Sequence, residues 1–199
     1  TGSSLAAPPV QPDDQTPSAE QPSFDAIEPI VRQGIQDGQM PGAVVVIADR
    51  NRVLYRRAFG QRQVEPTAEP MTMDTVFDLA SLTKPVATAT SVMQLIGDGL
   101  LSPHQKVADY LPEFGKHGKD KITISDLLLH VGGLIPDNSL RDYRDGVEVS
   151  WDKICDLKPI AERGKKFAYT DVGFIVLGKL VERVSKQRLD QYAQQNVFT

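Results

Sequence analysis

Apolar residues recur every three or four positions in two stretches of the chain, and this period predicts helices. The stretch FDAIEPIVRQGIQDG starts its pattern at Phe24 and stops at Gly38, a residue type that commonly follows a helix end. The stretch KPVATATSVMQLIGDGLL has the same period and closes at Gly97 and Gly99. Between them, GAVVVIADRNRVLYRRAFG has two apolar runs around a polar turn, which predicts a β-hairpin over residues 43–59.

Two later stretches predict helices with recognisable N-caps. TISDLLLH can be capped by Thr123 or Ser125, and DVGFIVLGKLVERVSKQ by Thr170 or Asp171. The polar stretch between them, PDNSLRDYRDGVEV, is typical of a surface loop.

The N-terminal segment TGSSLAAPPVQPDDQTPSAEQPS has five prolines and almost no large apolar side chains. Such a segment cannot bury enough surface to offset its ordering entropy, so we expect residues 1–23 to be a disordered linker and residues 24–199 to form domain structure. The first residue, Thr1, indicates a processed or recombinant N-terminus. A tether of this kind often follows a cleaved export signal, which favours a periplasmic or secreted protein, although cytoplasmic linkers have the same composition.

Composition narrows the possible partners. The chain has 22 basic and 26 acidic residues in no long block, a net charge of -4, so nothing favours binding to nucleic acid or an anionic membrane. The single Cys155 excludes an internal disulfide, and three scattered histidines offer no zinc spacing, so we expect no metal or cofactor. No apolar run approaches the roughly 18 residues of a membrane span. The composition therefore favours small or neutral molecules as binding partners.

The motif Ser-x-x-Lys occurs twice, as Ser81 to Lys84 in SLTK and as Ser150 to Lys153 in SWDK. About one chance match is expected in a chain of this length, so the motif alone is weak evidence of chemistry. Ser150 follows a polar stretch and precedes WDKICDL, and we therefore predict that it is an N-cap.

Ser81 opens a predicted helix, where residues three apart share one face, so its hydroxyl can meet the Lys84 amine. The helix N-terminus disfavours the ammonium and favours an oxyanion, and Pro85 suits a first turn. Lysine becomes a base near neutral pH only if its pKa falls from about 10.4 towards 7, a difference of roughly 4 to 5 kcal/mol. Ser81 is thus either a nucleophile with Lys84 as its base or an N-cap followed by a solvated lysine.

Four blocks of the sequence follow one another along the chain: GQMPGAVVVIADRNRVLYRRAFG, TVFDLASLTKPVATA, ITISDLLLHVGGL and ERGKKFAYTDVGFIVLGKLVERV. In order and spacing, they resemble the serine hydrolases related to class C β-lactamases. The family includes penicillin-binding D-alanyl-D-alanine carboxypeptidases and esterases, and the resemblance runs from about Phe24 to the end. It implies an α+β, β-lactamase/transpeptidase-like fold, with a mostly helical lobe, an N-terminal helix and the β-hairpin of an incomplete antiparallel sheet.

The resemblance also implies roles for individual residues. Ser81 would be the acylated nucleophile, Lys84 its proton-transfer partner, and Tyr169 a base, or an acid towards the leaving group. The backbone N–H of Ser81 would form half of an oxyanion hole. His130, in LLLHVGGL, would support packing and loop structure.

Asp171 departs from the family's Tyr-x-Asn motif, which has asparagine at this substrate-binding position. An ionised aspartate cannot donate a hydrogen bond to a substrate amide, and an anion beside Lys84 would raise that lysine's pKa. We therefore expect Tyr169 to carry more of the base role, or a Lys84–Asp171 ion pair that orients Lys84. Alternatively, Asp171 only caps a helix beginning at Val172. Both interpretations weaken the expectation of efficient β-lactam hydrolysis.

The family's third motif, a strand of the Lys/His-Ser/Thr/Gly-Gly type, does not occur in the chain. We therefore expect a fragment that needs the remaining C-terminal part of the domain and is inactive alone. The expected function is a serine hydrolase that acts on carboxylic esters or amides, with a small-molecule or peptidoglycan-derived substrate. The alternative is a non-catalytic receptor for penicillin or peptidoglycan.

Overall fold

The computed structural model describes residues 23–198, which divide at Phe77/Asp78 into two compact units. The predicted linker, residues 1–23, lies outside the described residues except for Ser23. Within residues 23–198, no helix has both the length and the apolar character that crossing a membrane would take.

The described part of the first unit, residues 23–77, forms one helix and a small antiparallel sheet. Its elements are α1 (Ile27–Gln36), β1 (Gly42–Ala48), β2 (Val53–Gln63) and the short β3 (Glu69–Pro70). The hairpin of β1 and β2 confirms the prediction, with Val44 opposite Ala58 in the register. The β3 strand, which pairs with the end of β2, was not predicted because two residues carry no periodicity.

The second unit is built almost entirely from helical segments. A 3₁₀ turn, a π-helical segment and a regular helix follow one another as Ala80–Leu82, Lys84–Ala89 and α2 (Thr90–Gly97). The other α-helices are α3 (Ile124–Leu128), α4 (Val147–Asp156), α5 (Asp171–Ser185) and α6 (Leu189–Asn196). Further 3₁₀ segments are Val107–Asp109, Pro112–Lys121 and Leu140–Tyr143.

The core of this unit surrounds α5, whose sequence has small or apolar residues on most of its faces. Eight of its residues are buried: Val172, Gly173, Phe174, Val176, Leu177, Gly178, Leu180 and Val181. Six of them, all except the two glycines, belong to one cluster that includes Leu95 of α2, Leu127 of α3 and Ile154 of α4. Each buried aliphatic side chain contributes about 1.5 to 3 kcal/mol relative to exposure. The helix that carries Asp171 therefore has a fixed position in this unit.

Local capping decides where α3 and α5 begin. The Thr123 side chain accepts a hydrogen bond from the Asp126 N–H, and the Asp126 carboxylate accepts from the Thr123 N–H, a complete capping box. The Thr170 hydroxyl accepts from the Gly173 N–H at 3.2 Å. Of the proposed caps, Thr123 and Thr170 are confirmed. The idea that Asp171 caps the helix is wrong, since Asp171 is the first helical residue.

The stretch predicted as a surface loop before WDKICDL is partly helical. It contains the 3₁₀ turn Leu140–Tyr143, and α4 begins within it at Val147, after Gly146 with a φ of 92°. Ser150 is therefore inside the helix, and the prediction that it is an N-cap is wrong. Its hydroxyl donates to the Gly146 carbonyl oxygen at 2.7 Å. Helix α4 buries Trp151 and Ile154 on one face.

Candidate active site

Ser81 lies in a tight turn at the start of the long helical segment. The preceding Ala80 has a φ of 45°, and its N–H donates to the Asp78 carboxylate at 2.8 Å. The turn is closed by the Leu82 N–H, which donates to the Leu79 carbonyl oxygen at 2.9 Å. A positive φ at alanine costs on the order of 1 to 2 kcal/mol, so the surrounding structure holds Ser81 in a strained turn.

Lys84 extends from the next turn and contacts two candidate residues. Its ammonium donates to the Ser81 hydroxyl oxygen at 3.2 Å and lies 2.6 Å from a carboxylate oxygen of Asp171. Only 13% of the Lys84 side-chain surface is exposed, against 46% for Asp171. The ion pair that the sequence left as one of two expectations is therefore present in the structure.

The charge state of Lys84 follows from these contacts. Burial acts to lower the pKa of Lys84, but hydrogen bonds to Asp171 and Tyr169 act the other way and outweigh it, so its pKa is raised. Lys84 is consequently an ammonium at neutral pH and has no free lone pair for taking a proton.

Tyr169 lies over the same pair of residues. The Lys84 ammonium is 5.0 Å from the centroid of its ring. Hydrogen bonds to Ser81 and then to Lys84 lower the pKa of the Tyr169 hydroxyl. Three predicted residues from two distant stretches of sequence, Ser81, Lys84 and Tyr169, thus come together, with Asp171 beside them.

His130 holds the segment that carries Tyr169. Its Nδ1 accepts the Thr170 N–H at 3.1 Å, and its carbonyl oxygen accepts the Ala168 N–H at 2.9 Å. Its ring lies 4.6 Å from the Tyr169 ring, measured between centroids. Burial, and then the Lys84 charge, lower the pKa of His130, so the imidazole is neutral and can accept through Nδ1. These contacts support the packing role expected for His130.

The segment after His130 fixes the approach to the site through its backbone. The Pro136 carbonyl oxygen accepts the Asp171 N–H at 2.7 Å. Gly133 has a φ of 76°, and a side chain there would place Cβ 2.1 Å from the Ala161 carbonyl oxygen. Only glycine allows the two segments to approach this closely.

The second Ser-x-x-Lys motif has no comparable arrangement. The Lys153 ammonium binds the Asp145 carboxylate at 2.8 Å, and the Ser150 hydroxyl is engaged by a backbone carbonyl. Among residues 23–198, no cluster of three or more His, Cys, Asp or Glu side chains could hold a metal ion.

Two pockets adjoin Ser81 and Lys84. The larger, of about 840 Å³, extends along α5 on the side of Asp171. The smaller, of about 540 Å³, lies on the side of Tyr169 and His130. Sequence reasoning did not identify the wall residues of the larger pocket, such as Thr88, Tyr143 and Phe174, because their apolar or small character is equally typical of a core.

Residues 27–199 match the family model described as Beta-lactamase. The chain belongs to the beta-lactamase family. A relative from Escherichia coli (strain K12), named "Putative D-alanyl-D-alanine carboxypeptidase", is 32% identical over 79% of this chain and 41% of its own. This membership confirms the family resemblance inferred from the four sequence blocks.

Solved structures support the same fold for this beta-lactamase family chain. The octameric penicillin-binding protein homologue from Pyrococcus abyssi has a TM-score of 0.76 and 26% identity, over 87% of this chain and 42% of that one. EstCE1, described as a hydrolase with promiscuous acyltransferase activity, has a TM-score of 0.73 and 29% identity, over 85% and 49%. The predicted α+β, β-lactamase/transpeptidase-like fold is confirmed, and the relatives include hydrolases.

The chain spans less than half the length of the curated relatives that it matches, 43% and 41% for the first two.

Proposed function

We propose that the protein is a serine hydrolase in which Ser81 attacks the carbonyl carbon of a carboxylic ester or amide. The observation that carries the proposal is the contact of the Ser81 hydroxyl with Lys84, at 3.2 Å, in a cluster completed by Tyr169 and Asp171. A nucleophile, a proton acceptor and an orienting group within hydrogen-bond reach are the parts that acyl transfer requires.

Tyr169 acts as the base in this proposal, because Lys84 is held as an ammonium by Asp171. As the bond from Ser81 Oγ to the acyl carbon forms, the hydroxyl proton passes to the phenolate oxygen of ionised Tyr169. The same proton then passes to the oxygen or nitrogen of the leaving group as its bond to the acyl carbon breaks. The Lys84 ammonium stabilises the tyrosinate, so that a larger fraction of Tyr169 is ionised and able to accept the proton.

Deacylation repeats the sequence with water. Tyr169 takes a proton from the attacking water, an oxygen–carbon bond forms, and the bond to Ser81 Oγ breaks as the proton returns to it. The backbone N–H of Ser81 donates to the carbonyl oxygen in both halves. The strained turn at Ala80 presents that N–H and the hydroxyl together.

The names of the relatives guide the substrate class. One is named for D-alanyl-D-alanine carboxypeptidase activity and another as a hydrolase and acyltransferase, so we propose a small ester or a peptidoglycan-derived peptide as substrate. A cell-wall substrate supports a periplasmic or secreted location. These names do not favour the non-catalytic receptor.

A protein that contains the complete family domain tests the proposal. It is incubated with p-nitrophenyl acetate and with a fluorescent penicillin, alongside Ser81→Ala and the matched control Ser150→Ala from the second motif. Ester turnover that disappears only in Ser81→Ala supports the hydrolase. A stable penicillin adduct without any turnover supports the receptor, and full activity in Ser81→Ala refutes the nucleophile. We also expect residues 1–199 alone to be inactive in the same assay.

A further inference from the structure

The larger pocket beside Ser81 is an elongated groove, called the α5 groove here. It is lined by one face of each of three helical segments: Ser81, Lys84 and Thr88; Val147, Ser150, Trp151 and Ile154 of α4; and Asp171, Phe174, Ile175, Gly178, Lys179 and Glu182 of α5. The spacing of three and four residues within each set shows that each helix contributes a continuous stripe. The groove is therefore a feature of the helical packing and not of a single loop.

The α5 groove starts at the nucleophile and runs away from it. Its α5 wall extends from Asp171, which contacts Lys84, to Glu182. At a rise of 1.5 Å per residue, these eleven helical steps span about 16 Å. Leu189 of α6 also lines it. A substrate that fills the groove must therefore have an extended arm attached near the reacting carbonyl.

The walls of the groove are mainly apolar. Trp151, Ile154 and Phe174 are 2 to 9% exposed and form its floor with Ile175. The charged residues among the described wall positions are paired, Lys84 with Asp171 at 2.6 Å and Lys179 with Glu182 at 3.5 Å. No wall charge is thus left to bind a charged substrate group.

The polar wall groups are also largely engaged. The Ser150 hydroxyl donates to the Gly146 carbonyl oxygen at 2.7 Å, and the Tyr143 hydroxyl bonds to Asn138. A peptide arm would bring a backbone N–H and a carbonyl with every residue and would find few partners here. An aliphatic arm needs none.

The two sides of the site separate the acyl group from the leaving group. Tyr169, which protonates the leaving group, lines the smaller pocket and not the α5 groove. The leaving group therefore departs on the Tyr169 side, and the groove remains for the part of the substrate that stays on Ser81.

We propose that the α5 groove binds an extended aliphatic acyl chain, so that the preferred substrates are esters of medium-chain or longer carboxylic acids. This inference rests on the proposed function, because it assigns the groove to the acyl group held by Ser81.

Chain-length specificity tests the proposal on a protein with the complete family domain. The kcat/KM values of p-nitrophenyl acetate, butyrate, hexanoate and octanoate are measured below the micellar range. Because wall residues such as Val147 and Ile175 are partly exposed, we expect each added methylene to raise kcat/KM about twofold, less than full burial would give. Octanoate, with about six more methylenes than acetate, should therefore exceed it by roughly 60-fold.

Two charge substitutions on opposite walls locate the effect. Ile175→Lys and Val147→Lys change residues that are 38% and 73% exposed, and each should lower the octanoate-to-acetate ratio of kcat/KM about tenfold or more. Met93→Lys is the matched control, because Met93 is 56% exposed on α2 and does not line the groove. Circular dichroism and thermal unfolding establish that each variant is folded.

The outcomes separate this inference from the proposed function. Acetate hydrolysis that survives Ser81→Ala refutes the proposed function itself. Hydrolysis that depends on Ser81 but does not increase with chain length overturns only the groove assignment. A chain-length preference that both wall variants retain, or that Met93→Lys loses equally, also overturns it.

Discussion

The substitution Asp171→Asn tests whether Lys84 works as an ammonium. Asparagine keeps the shape of the side chain and removes one negative charge that lies 2.6 Å from the lysine nitrogen. The Asp171 contact is one of the interactions that raise the pKa of Lys84 against the opposing effect of burial. Its loss should therefore lower the pKa of Lys84.

The size of the effect follows from the geometry. Two unit charges about 4 Å apart interact by about 4 kcal/mol at an effective dielectric constant of about 20. Asp171 is 46% exposed, so solvent screening reduces this interaction to about 1 to 2 kcal/mol. Since about 1.4 kcal/mol is a factor of ten, the ratio of neutral to charged Lys84 at a given pH should rise roughly tenfold.

The pH dependence of kcat/KM for p-nitrophenyl acetate measures this change. In the proposed mechanism, the acidic limb reports the loss of the Tyr169 proton and the basic limb reports the loss of the Lys84 proton. Asp171→Asn should move the basic limb to lower pH. The acidic limb should also move to lower pH, because the Asp171 charge raises the pKa of Tyr169. Only the basic limb therefore distinguishes Lys84 as an ammonium from Lys84 as a neutral base. His130, which is also near Lys84, is left unsubstituted in both proteins.

A matched variant and a refuting result complete the test. Asp145→Asn breaks the equivalent contact in the second motif, 2.8 Å from Lys153, and should leave both limbs in place. A basic limb that stays fixed in Asp171→Asn while the acidic limb moves would refute the ammonium assignment. Lys84 would then be the neutral base.

Three further predictions concern groups outside the nucleophile, of which Lys119 and Cys155 are buried and His130 is half-buried. Lys119 is fully buried and donates to the carbonyl oxygens of Cys155 and Leu157, so Lys119→Met should lower the free energy of unfolding by about 2 to 4 kcal/mol in urea titrations. The pKa of His130 is lowered in the folded protein, so the unfolded chain binds a proton before the folded protein does as pH falls below about 6.5. The free energy of unfolding should therefore decline from pH 7 to 5, and His130→Gln should reduce that decline. Burial raises the pKa of the Cys155 thiol to about 11, so its labelling by a disulfide reagent should follow unfolding in urea and not precede it.

Features determined by neighbouring residues could be predicted from the sequence, and features determined by distant contacts could not. The Thr123 and Thr170 caps and the β1–β2 hairpin depend on side chains within a few residues, and these predictions are confirmed. The start of α4 follows Gly146, which has no capping side chain, so local signals placed this start too late, at Ser150. The positive φ of Ala80 has no local signal, because alanine does not favour it.

The candidate site was predictable only in part for the same reason. Helical spacing brings Ser81 and Lys84 together, and that contact could be inferred from four residues of sequence. The approach of Tyr169 and Asp171 depends on contacts with residues far away in the chain, in which the Thr170 N–H donates to His130 and the Asp171 N–H donates to Pro136. Periodicity contains no information about such a contact, and the family resemblance alone indicated it.

The two Ser-x-x-Lys motifs show which physical conditions make a serine a candidate nucleophile. In SWDK the serine is inside a regular helix, where its hydroxyl donates to the carbonyl oxygen four residues earlier and its lysine turns to Asp145. In SLTK the strained residue Ala80 precedes the serine. The Ser81 hydroxyl accepts a hydrogen bond from Lys84, in place of the bond to a backbone carbonyl oxygen that Ser150 makes. Each lysine has its own aspartate, so the ion pair does not distinguish them. The two motifs differ in the backbone before the serine. A substitution that relaxes the turn at Ala80 should therefore lower the reactivity of Ser81 more than a change of charge far from the site does.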